Sequence, residues 1–197
     1  MLRTAMILLL ALPTAGAAAA PEPATARLEA MLAEMHQDYH RYIREVRPAQ
    51  AAVANVHFGL VRPGGTDPRH PADAPRPGHR RRYDLIVFGA DPGPGDGEAW
   101  ARLLLDHEYF HARHLSHAAG LPHPTFDSRR AQRHLYEAVA WGYSLERAAD
   151  GTYGGLPASR REEVLDRYRR HRRAFRNYVT QREPRAWDYY GQFLPER

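Results

Sequence analysis

The stretch Leu103 to Leu115, LLLDHEYFHARHL, constrains this chain more than any other. It contains His107-Glu108-Tyr109-Phe110-His111, two histidines four apart with a glutamate directly after the first. Residues four apart on an α-helix lie on one face, one turn above the other. His107 and His111 therefore aim two imidazoles at one point, and Glu108 sits beside it. This HExxH pattern holds a zinc ion and sets a general base against its bound water. The alternative is a helix with two solvated histidines and a charged glutamate. Leu103, Leu104, Tyr109 and Phe110 give the helix an apolar face instead, which places it against a core.

Such a site has to be built without sulfur. The chain has no cysteine, so any metal is held by His, Asp or Glu, a donor set that suits a catalytic zinc better than a structural one. Disulfides and a lipid-anchoring N-terminal cysteine are excluded on the same ground. The length of 197 residues fits one compact domain.

The N-terminus reads as a secretory signal peptide over 1–20. Arg3 supplies the positive region, Ala5 to Leu12 the apolar run, and Pro13 to Ala20 the small residues. Cleavage is expected around Ala17 to Ala20, though not directly after Ala20, because Pro21 follows. The alternative is a buried or frayed N-terminal helix. On the signal-peptide reading, 21–197 is a single domain, secreted or periplasmic, with no transmembrane anchor.

All 28 basic residues are arginine, and the formal net charge is +5. With the abundant alanine, this reads as a high-GC bacterial genome more than as a functional choice. The charge permits weak attraction to an anionic envelope surface or to acidic substrates. No nucleic acid is expected, because the arginines lack the interleaved surface aromatics on which bases stack.

Apolar spacing predicts an amphipathic helix over 24–46, through Leu28, Met31, Leu32, Met35, Tyr39, Tyr42, Ile43 and Val46. Strands are expected at 53–61 and 83–88. Between them, 62–82 is rich in proline and glycine and reads as a mobile loop, followed by a second Pro/Gly loop at 89–97. Helices are expected at 98–119, carrying the motif, and at 128–149 and 158–182. In the last of these, Val164, Tyr168, His171, Phe175 and Tyr178 form a packing stripe. Trp187 to Leu194 reads as a docked helical turn. The fold class is α+β, mainly helical, with a small sheet packed before the HExxH helix.

That layout is similar to zincin metallopeptidase domains, in which an extended substrate pairs with the sheet edge above the metal. The resemblance makes Tyr83 to Phe88 the candidate edge. Two histidines need a third protein ligand. His107, His111 and His117 fit the metzincin spacing HExxHxxGxxH, but His114 stands where that family has the glycine that turns the chain, and all four methionines precede the motif. The segment from about Ala99 to Glu146 resembles the gluzincins, whose third ligand is a glutamate on the following helix, in a context like Glu137-Ala138 here. Glu137 is then the implied ligand. Its alternative is a surface charge, although Ala138, Val139, Ala140 and Trp141 make its neighbourhood apolar. Thermolysin-like members carry an aspartate four residues further on that orients a zinc histidine; here that position is Trp141.

The resemblance implies a zinc-dependent peptidase acting on a peptide or protein substrate. Zinc would be held by His107, His111 and Glu137, with Glu108 as general base. His134, three positions before Glu137 and on the same helix face, is the first choice for the donor that stabilises the oxyanion. Its alternative is a partly buried helix histidine; Tyr143 and Tyr153 are further candidates. His114 and His117 are expected to be solvated or to stand behind the ligands, and His70, His79 and His123 to be loop residues without a role. The competing functions are an envelope binding protein that keeps the fold without turnover, and a basic protein that binds polyanions.

Overall fold

A computed structural model describes residues 23–48, 57–61, 82–88, 96–116, 118–121, 123–124 and 128–197. The expected leader at 1–20, most of the Pro-rich segment at 62–82, His70, His79 and His117 lie outside them. The described chain is mainly helical with a three-stranded sheet, the expected α+β class.

The first helix, α1, spans Pro23–Met35 and buries Leu28, Met31 and Leu32 on one face. It does not continue to 46. Side chains of the polar stretch His36-Gln37-Asp38 are taken up by tertiary contacts: His36 meets Asp106 and Asp38 accepts from the Tyr109 hydroxyl. A 3-10 turn at Tyr39–Arg41 follows, and then strand β1, Ile43–Pro48. Ile43 and Val46 are both buried although three apart. A bulge explains this: two residues of β1 oppose one step of its partner between Ile43 and Glu45, so Arg44 is extra and the burial phase resets. The spacing that reads as helical in sequence is that of a bulged strand.

β2 is His57–Val61 and β3 is Tyr83–Phe88. The sheet order is β1-β3-β2, with β1 parallel and β2 antiparallel to β3. The strand expected at the edge is therefore the central one. A bidentate Arg44–Asp84 pair, at 2.7 and 2.8 Å, fastens β1 to β3 around a fully buried carboxylate.

Helix α2, Asp96–Leu115, packs against α1, β2 and α3. Ala101, Leu103, Leu105 and Ala112 are fully buried, as are Asp106 and most of the His107 and His114 side chains, so this helix is buried almost all round and runs through the middle of the core. Helix α3, Arg129–Ala149, begins at Ser128, whose hydroxyl accepts from the Ala131 amide at 3.3 Å. Helix α4, Ala158–Arg182, lies along α3. Close approach is allowed by Gly142, where a Cβ would meet the Tyr168 ring at 3.2 Å. Helix α5, Pro184–Tyr190, and the turn Gly191–Phe193 fold back on α4, the docked tail expected from the aromatic run. No helix of the described residues is long and apolar enough to cross a membrane.

Candidate metal centre

The site forms where the middle of α2 faces the middle of α3. One helical turn separates His107 and His111, and their Nε2 atoms lie 3.1 Å apart with the rings nearly perpendicular. From α3, Glu137 Oε2 stands 3.6 Å from His107 Nε2 and 3.9 Å from His111 Nε2. Among the described residues this is a group of three donors that could hold a metal ion, with ligand atoms within 4.8 Å of one another.

The donors fit a cation in chemistry and in size. Tetrahedral zinc with ligands at about 2.0–2.1 Å places its donor atoms roughly 3.3 Å apart. The observed edges of 3.1, 3.6 and 3.9 Å reach that figure with shifts of a few tenths of an ångström. His107 Nδ1 lies 3.4 Å from Ser144 Oγ, whose own proton goes to the Ala140 carbonyl at 3.0 Å. Ser144 can then only accept, so with a cation at Nε2 the His107 proton would belong on Nδ1, facing Ser144.

The charges are arranged for a cation. Burial pushes His107 down to about 4, which keeps it a neutral ligand at pH 7. Burial works to raise Glu137, but the imidazoles of His107 and His111, 3.6 and 3.9 Å away, outweigh it and hold the carboxyl well below its ordinary range. In His111 burial lowers and Glu137 raises; the carboxylate wins, and the imidazole is raised. Glu108 is partly buried beside them, pushed up to about 8 by burial, with the Glu137 charge adding and His111 opposing.

Of the other candidates, His134 does not stand alone. Its Nδ1 lies 3.2 Å from Nδ1 of His171 on α4, and both rings are partly buried. Tyr143 and Tyr153 are turned away from the site. Their hydroxyls donate to Asp106 at 3.2 and 2.7 Å, so neither is an oxyanion donor. His114 is not solvated: it is buried at 1% exposure, with its ring 4.8 Å from that of Tyr136. His123 is likewise engaged, Nδ1 lying 3.0 Å from the Tyr136 hydroxyl. His117 lies outside the described residues, and Glu137 is the third donor of the group described.

Sequence reasoning missed what stands behind the ligands. Trp141 lies with its ring 3.8 Å from that of His107, and its indole N–H donates to Glu137 Oε2 at 3.2 Å. The only signals were spacings, with Trp141 four and Ser144 seven positions after Glu137. The chain matches no family model, no curated protein and no solved structure.

Proposed function

We propose that the chain is a zinc-dependent peptidase with a zincin-like centre of gluzincin type. One observation supports the reading: the two motif histidines and a glutamate from the next helix converge on a common point, with Glu108 beside it. A zinc ion at these donors supplies Lewis acidity, polarising a carbonyl and acidifying water towards a pKa of ~7.

The chain's own residues do the rest. Glu108 is a neutral acid at pH 7 in the bare site, and positive charge beside it draws it back to the carboxylate. It then takes a proton from the attacking water and passes it to the leaving amine. His134 and His171 have their Nδ1 atoms turned to each other; whichever ring accepts in that pair carries its proton on Nε2 and can donate it to a carbonyl oxygen gaining negative charge. An extended peptide pairs with β2 rather than β3, because β2 is an outer strand of the described sheet and packs against α2.

The test is cleavage of an unfolded protein by the zinc-loaded chain. The expected result is hydrolysis by the wild type, and a loss of roughly 10²–10⁴-fold in E108Q. E108Q should still hold one zinc per chain. An E108Q variant as fast as the wild type contradicts the assigned base. A wild type that holds zinc and cleaves no unfolded chain leaves a metal-binding protein without turnover.

A further inference from the structure

Four positions after Glu137, where thermolysin-like members carry an aspartate, a tryptophan stands. Trp141 is 4% exposed and one turn beyond Glu137 on α3. It touches two of the three donors at once, with its ring face on His107 and its N–H on Glu137 Oε2. The Arg167 guanidinium lies 5.0 Å over the same indole and 5.8 Å over Trp100, and Arg160 lies 4.5 Å over Trp100. Glu163 holds both arginines, at 2.6 and 2.7 Å. Helix α4 thus clamps the indole against the site.

We propose that Trp141 is a positioning residue of the metal centre, fixing Glu137 by its N–H and His107 by its ring. The inference rests on the metal reading above. An indole suits this task for a physical reason. Its N–H is a donor only and carries no charge, so it orients a carboxylate without neutralising it. An arginine at the same distance would form an ion pair with Glu137 and compete with the cation. Here the arginine lies 5.0 Å over the ring and is paired with Glu163. A free glutamate on a helix has three rotatable side-chain bonds, and fixing them beforehand removes an ordering cost from metal binding.

The experiment compares wild type, W141F and W141M by zinc competition titration and by the absorption spectrum of the cobalt-loaded chain. Both variants keep an apolar side chain in the core and lose the N–H. Loss of a group behind a ligand lowers metal affinity by about 10–100-fold, and that loss is expected in both. The cobalt bands should shift as Glu137 loosens, whatever the smaller side chain costs in the melting temperature of the metal-free chain. Wild-type zinc affinity with an unchanged cobalt spectrum in either variant overturns the proposal and leaves the metal centre standing. A wild type that takes up neither metal overturns both.

Discussion

His107 shows how much a single side chain depends on what it touches. On the proposed reading its Nε2 would serve as a metal donor only with the proton on Nδ1, and Ser144 is the acceptor placed to keep it there. We predict that S144A lowers zinc affinity by about 10-fold with little change in the fold, read by competition titration; wild-type affinity would remove Ser144 from the account. The three residues of the candidate centre were legible, because HExxH fixes a helical face and Glu137 lies in an apolar run. Ser144 and Trp141 were not, since what backs a ligand depends on how α3 is rotated against α2. His171 was read as one member of a packing stripe, and only the pairing of α3 with α4 brings it to His134.

The elements carry a second constellation, centred on Asp106. This carboxylate is fully buried one residue before His107. It meets His36 Nε2 at 2.5 Å, the hydroxyls of Tyr143 and Tyr153, and Arg147 Nε at 3.2 Å. It therefore joins the end of α1, helices α2 and α3, and the turn that leads to α4. Burial raises its pKa, but the hydrogen bonds of His36 and Tyr153 prevail and lower it below its ordinary value. A carboxyl lowered on folding adds stability that is complete above the unfolded value of about 3.9 and is lost as pH falls through the folded one. Thermal melts should show D106N losing about 3 kcal/mol near neutral pH, with the gap to wild type closing below about pH 4. Equal melting temperatures at pH 7 would mean that the hub contributes no net stability. In the sequence, Asp106 looks like an ordinary helix aspartate, because all its partners come from other elements. The same limit explains β1. Ile43 and Val46 keep a helical spacing, and only pairing with β3 reveals the bulge that produces it.

Across the whole molecule, the helices from α2 onwards were legible because their periodicity is long and bounded by glycine and proline. Sheet order was not, since parallel pairing of β1 with β3 joins segments about forty residues apart, and no local pattern reports it. The fold uses the central α2 to aim two donors at α3, and α4 to pack along α3 over Trp141. The most direct test is anomalous diffraction at the zinc edge from crystals grown with zinc. The account predicts one peak with full occupancy at about 2.0–2.2 Å from His107 Nε2, His111 Nε2 and a Glu137 oxygen. A peak bound by other histidines, or density showing Glu137 turned away from the two imidazoles, would contradict it.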